Sequence, residues 1–257
     1  MDREKLFEEF INECKSNKQI CGSGNPNANI LLIGQEHYSE VPIKNNDEKW
    51  ENYLNDNWNY CSVDNPWVTK DISNTNWLKF QNTSNTWLNY QKLIDGALPN
   101  RQKRMVRGKR DFEFDAFTTE LNNEAKPSNR SENGNETVEL KKRIANRLEV
   151  LKESCFIQSF PVIVLACGPY ICNQGEGESR QIDKTFGVEF DKTNGRITTE
   201  NGYWFCTHHN TTDTEYFKAG EKLVIHTRQL SRFYKKDDLT DKIARKINDH
   251  LYKLGLL

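Results

Sequence analysis

The stretch Ile30–Glu40, ILLIGQEHYSE, decides how the chain is read. Four apolar residues, Ile30 to Ile33, run without polar alternation, which predicts a short strand buried on both faces, as parallel strands are. Gly34 then predicts a tight exit. Gln35, Glu36, His37 and Tyr38 place hydrogen-bonding and titratable groups directly after it. In open α/β sheets the reactive groups gather beyond the carboxyl ends of the strands. The stretch is therefore either a strand with an ordinary polar loop or a strand that delivers a catalytic carboxylate to a sheet edge.

Other runs supply the rest of such a sheet. FPVIVLACG (160–168) and EKLVIH (221–226) are buried-strand candidates, and FEFDAFTTEL (112–121) alternates enough to be a strand. GVEFDKTNGRITTENGYWFCTHHN (187–210) predicts paired short strands joined by Asn-Gly turns. Helical spacing of apolar residues marks DREKLFEEFINECKS (2–16), WLNYQKLIDGAL (87–98) and VELKKRIANRLEVLKESC (138–155). A terminal amphipathic helix follows, capped by Asp237, Asp238 or Thr240. Strands alternating with helices predict one three-layer α/β/α domain over residues 1–257 with a mainly parallel central sheet. Residues 41–86, rich in Asn, Asp and Trp, read as a long functional excursion or an inserted helical cap, and NNEAKPSNRSENGNET (122–137) as a polar loop.

Composition narrows the function class. The 257 residues carry a net charge of -1, so no uniformly basic surface exists, although RQKRMVRGKRD (101–111) concentrates six Lys and Arg residues. With 35% hydrophobic residues and a mean hydropathy of -0.86, no apolar run approaches the roughly 20 residues of a membrane span. The start, MDREKLFEEF, has no apolar signal core, which predicts a cytoplasmic protein. Seven cysteines without a close pair predict reduced, buried thiols rather than a disulfide frame, zinc or a cluster site. The pair His208 and His209 in THHN would point to opposite faces of a strand, which argues against a shared metal.

Two of the motifs resemble those of the uracil-DNA glycosylase superfamily. GQEHY (34–38) is similar to its water-activating Gly-Gln-Asp-Pro-Tyr motif. HTRQLS (226–231), almost two hundred residues later, is similar to His-Pro-Ser-Pro-Leu-Ser, with His226, Leu230 and Ser231 matching in order and spacing. FPVIVLACGPY resembles the strand and glycine turn which that superfamily places between them. The resemblance covers some 35 residues and identifies the chain as a divergent member, with the glycosylase-like fold expected.

The resemblance implies hydrolysis of an N-glycosidic bond in a flipped nucleotide, leaving an abasic site, with no metal or cofactor and with DNA as partner; a monomer is expected. Glu36 would orient or deprotonate the water and Gln35 would accompany it. His226 would donate to the departing base, a role worth about 3 kcal/mol for one aimed donor. Leu230 would be the wedge that fills the gap left by the flipped nucleotide. Arg228 and Ser231, with Arg104 and Arg107 of the basic stretch, would contact DNA. Tyr38 would crowd the pyrimidine C5 position. The base-reading position falls on Glu120, which would favour an amino-bearing edge such as cytosine, or on Asn122, which would keep uracil.

The departures change chemistry. Glu36 is one methylene longer than aspartate, and His37, Thr227, Arg228 and Gln229 replace residues that stiffen or bind in the family. Uracil, cytosine and modified cytosines stay open as substrates, in repair or in defence against foreign DNA. A fold that has lost catalysis and binds DNA or protein, and a glycosidase acting on free nucleosides, are the competing readings.

Overall fold

The computed structural model describes residues 2–38, 52, 55, 85–102, 111–126, 134–171, 180–193, 196–230 and 238–257; the side chains of 36–38, 123–126 and 134–137 lie outside that description. The expected cap at 41–86 falls almost wholly outside it, as do Trp50, Trp58, Trp67 and Trp77. Trp87 is described, and it packs on Tyr90 and Phe112 at ring distances of 6.3 and 5.4 Å as part of the core.

Helix α1 (Arg3–Ser16) starts where the Asp2 side chain accepts from the Lys5 amide at 3.3 Å, and it buries Phe7, Phe10, Ile11 and Cys14. Strands β1 (Ser23–Gly24) and β2 (Ile30–Tyr38) follow, then α2 (Asn85–Ala97). Next come β3 (Phe117–Lys126), α3 (Gly134–Glu153) and the short α4 (Cys155–Gln158). Strand β4 (Val162–Ala166), α5 (Gln181–Phe186), β5 (Glu189–Phe190), β6 (Arg196–Thr198), β7 (Trp204–His209), β8 (Leu223–Thr227) and α6 (Leu239–Lys253) complete the order. The start of FEFDAFTTEL is a 3-10 turn, Phe112–Phe114, rather than strand. The N-cap of α6 is Asp238, without a side-chain hydrogen bond to the helix backbone.

The sheet runs β1-β3-β2-β4-β8-β7-β5, with β6 paired to β7. Only the central four strands are parallel; β1 at one side and β5, β6 and β7 at the other are antiparallel. The expected mainly parallel sheet is thus a parallel centre with antiparallel flanks, because short hairpin turns such as Asn201-Gly202 can join only antiparallel neighbours. Alternate residues of the strands feed two cores. Leu31, Ile33, Ile163, Leu165 and Val224 face α1, α3, α4 and α5. Ile30, Leu32, Val162, Val164 and Ile225 face α2 and α6. No helix among the described residues is long and apolar enough to cross a membrane.

Topology marks one edge. After β2 the chain crosses by α2 to β3 on one side; after β3 it crosses by α3 to β4 on the other side of β2. The two crossovers cover opposite faces, so the carboxyl ends of β2 and β4 part at a topological switch point, where open α/β sheets bind ligands.

Of the basic stretch, Arg101 turns inward. Its side chain, 3% exposed, bonds Asp95 at 2.7 Å, Asp115 at 2.6 Å and also Asp111. It ties the end of α2 to the approach to β3, so this cation holds the fold and not a phosphate. Arg104 and Arg107 lie outside the described residues. Arg101→Met, which strands three partly buried carboxylates, is expected to cost about 3 kcal/mol in urea unfolding. A loss under about 1 kcal/mol would show that the cluster does not hold this corner.

Candidate functional site

The three motifs meet at the switch point, but as strand ends rather than loops. Strand β2 continues through GQEHY to Tyr38, β3 continues past Asn122 to Lys126, and β8 includes His226 and Thr227. Gly34 is therefore no tight exit. It pairs with Glu120 of β3, and a Cβ built on it would overlap the Glu120 carboxylate. The glycine makes room for that side chain on the α2 face.

On the α3 face, β2, β4 and β8 run parallel and in register, so Gln35 and His226 flank the exit of β4. Gln35 donates from Nε2 to the Cys167 carbonyl at 2.9 Å. His226 Nε2 lies 2.8 Å from the Gly168 carbonyl. Two side chains from distant motifs thus hold consecutive carbonyls of one turn. Gly168 turns with φ +55°, and a Cβ there would press on Gln35 Nε2 at 3.3 Å and approach the Arg228 and Gln229 backbone. The sequence FPVIVLACGPY supplies that turn.

A carbonyl only accepts, so Nε2 of His226 carries the proton. The ring is 8% exposed, and burial pushes its pKa down to about 4. His226 is a neutral imidazole whose N–H donates, a form suited to polarising an oxygen without giving up a proton. Its ring packs edge-on against Trp204 at 5.1 Å.

Glu120 is half-buried beside two further groups. Burial chiefly, and the Glu120 charge next, raise the pKa of Tyr90 and of Cys167. Tyr90 has a buried hydroxyl with no hydrogen-bond partner among the described residues. The backbone of Glu120 is held by Arg147 of α3, a fully buried guanidinium. It bonds the Glu120 carbonyl at 3.2 Å, Thr119 Oγ1 at 2.7 Å and Gln19 Oε1 at 2.8 Å. Asn122, in register with Glu36, is buried and accepts from Arg143 Nε at 3.4 Å.

Of the other expected site residues, Glu36 and Tyr38 lie in β2 with side chains outside the described set, as does His37, and Ser231 is outside it altogether. Arg228 is half-buried, its guanidinium 4.8 Å over the Tyr203 ring. Leu230 requires a correction. It is 0% exposed, packed in the α2 and α6 core, with its carbonyl accepting from Asn89 Nδ2 at 2.8 Å. A wedge must stand free of its own core, so in this structure Leu230 is a core residue.

Sequence reasoning missed the aromatic and cationic hairpin beside His226. The signal was present in RITTENGYW: Arg196 pairs with Cys206, which pairs with His226. His208 and His209 do diverge, His208 Nδ1 to Asp183 Oδ1 at 3.2 Å and His209 toward the His250 ring at 5.9 Å. No group of three or more His, Cys, Asp or Glu side chains that could hold a metal ion occurs among the described residues. The described cysteines are free thiols, with Cys155 exposed where burial was expected.

Neither a family model nor a curated protein matches the chain.

Burial sets a pH dependence. His226 and His250 both have pKa values lowered to about 4, chiefly by desolvation, against roughly 6.5 in an unfolded chain. Between those values only the unfolded state takes up the protons, so the stability that these two neutral rings contribute falls as pH drops through the window, and this loss is complete below about 4. The share of His226 is about 3 kcal/mol. Urea unfolding of the protein and of His226→Gln across pH 7 to 4 is expected to show the shallower loss in the variant; equal slopes would contradict a buried neutral His226.

Proposed function

We propose that the chain is a monofunctional DNA-base glycosylase that hydrolyses the N-glycosidic bond of a flipped pyrimidine without a metal or cofactor. One observation carries this reading: Gln35 and His226, from the two motifs that resemble the glycosylase motifs, hold consecutive carbonyls of the β4 turn at the switch point. A glycosylase needs a carboxylate near the sugar and a neutral donor near the base. As the bond breaks, the sugar gains oxocarbenium character and the base gains negative charge.

In this reading Glu36 orients the water, and His226 exchanges its bond to the Gly168 carbonyl for one to the base oxygen. A neutral imidazole suits that step, since charge builds on the base while the ring keeps its proton. Glu120, leaning over Gly34 from the α2 face, brings an accepting carboxylate to the same edge. That acceptor favours an amino-bearing pyrimidine such as cytosine or a modified cytosine. Asn122, engaged by Arg143, is the position that would keep uracil.

A second reading, a glycosylase-like binding module without catalysis, is favoured by the burial of Leu230 and by the engaged N–H of His226.

Oligonucleotides carrying uracil, cytosine or 5-modified cytosines, treated with alkali after incubation, reveal abasic sites as strand cuts. Cuts are expected on at least one substrate, reduced about 100-fold or more by His226→Ala and abolished by Glu36→Gln. Glu120→Gln is expected to change the preferred base. DNA binding without cuts on any substrate would replace the glycosylase by the binding module.

A further inference from the structure

The β6–β7 hairpin turns at residues 199–203 beside the end of β8 that carries His226: Phe205 pairs with Thr227 and Cys206 with His226. Across the three strands, Arg196, Cys206 and His226 form one row on one face. Trp204, two residues before Cys206, shares that face and touches both ends of the row. Its ring is 5.1 Å from that of His226, and the Arg196 guanidinium lies 4.3 Å over it. Thr227 Oγ1 donates to the Trp204 carbonyl at 2.6 Å, which fixes the hairpin to β8. On the opposite side of the chain Tyr203 packs toward the α2 and α6 core and carries the Arg228 guanidinium on its ring.

Exposure rises along the row: His226 is buried, Cys206 and Trp204 are half-buried and Arg196 is exposed. Arg196 has no carboxylate partner among the described residues. A guanidinium held over a ring face keeps N–H groups for acceptors and offers a planar cation on which a base can stack. Stacked planar faces with cationic edges are what an unpaired nucleic-acid strand requires, bases against the planes and phosphates against the cations. A duplex, whose bases already stack on one another, has no use for such a platform.

We propose that Arg196 and Trp204 form a binding track for single-stranded DNA that leads along this face to His226. The contact itself stands on the hairpin; only its destination rests on the glycosylase reading.

Fluorescence anisotropy of a short labelled oligothymidine, and of its duplex, measures the track across a salt series. The protein is expected to bind the single strand more tightly than the duplex. Trp204→Leu is expected to weaken single-strand binding about ten-fold. Arg196→Gln should reduce the slope of log affinity against log salt by about 0.7. Arg196→Lys should keep the slope and lose affinity, because the charge stays while the planar stack goes. Arg196 is exposed, so its variants decide the matter even if Trp204→Leu destabilises the hairpin. No binding of the single strand, tighter binding of the duplex, or wild-type affinity and slope in the Arg196 variants would overturn the track. Base release on the same preparations separates the two ideas. Variant-sensitive binding with no base release by the wild type upholds the track and removes the glycosylase. Base release with binding unchanged by the variants removes the track and leaves the glycosylase.

Discussion

The turn that leaves β4 is the point on which the arrangement depends. Its two carbonyls, of Cys167 and Gly168, are held by Gln35 from β2 and His226 from β8. This is possible only because the three strands are parallel and in register, so that their carboxyl ends coincide. Each bond contributes only about 1 kcal/mol net, but a buried group left without one costs up to about 3 kcal/mol. Losing either side chain would therefore be felt through the turn. The same turn fixes the tautomer of His226, and burial keeps that ring neutral. Geometry and protonation state follow from one constraint.

That constraint sits at the topological switch point, the edge at which open α/β sheets bind ligands. The crossover from β2 to β3 through α2 and that from β3 to β4 through α3 cover opposite faces of the sheet, and Gly34 admits the Glu120 side chain on the α2 face. Gln35 and His226 line the edge from the other face. Arg147, buried among neutral acceptors, holds the Glu120 backbone from behind. The edge thus carries an acceptor on one side and donors on the other, the combination from which base recognition and leaving-group stabilisation are built.

Much of this was legible in the sequence, and the failures have physical causes. The all-apolar runs ILLI, VIVLA and LVI, short and rich in β-branched residues, read as strands covered on both faces, and they form the parallel centre. The polar residues after them read as loops because polarity in sequence does not distinguish a strand end at a crevice from a turn. The backbone pairing Gly34–Glu120 shows that it was a strand. Leu230 was read from its spacing after His226, which cannot tell a side chain aimed at a ligand from one aimed at the α2 and α6 core. Arg101 looked like part of a solvated basic run, yet its three carboxylate partners lie in flanking segments. The hairpin at Arg196 and Trp204 was missed for the same reason: its significance lies in cross-strand pairing with β8, a contact that no local pattern encodes.

The most direct test of the account is the state of one ring. Nitrogen-15 spectra of the histidine side chains, with His226→Gln used for assignment, report both protonation and tautomer. At pH 7 His226 is predicted to be neutral with its proton on Nε2, and that nitrogen is predicted to shift when a single-stranded oligonucleotide carrying the target pyrimidine is added. A charged imidazolium at pH 7, a proton on Nδ1, or a signal that DNA leaves unchanged would contradict the claim that this histidine is the donor at the site.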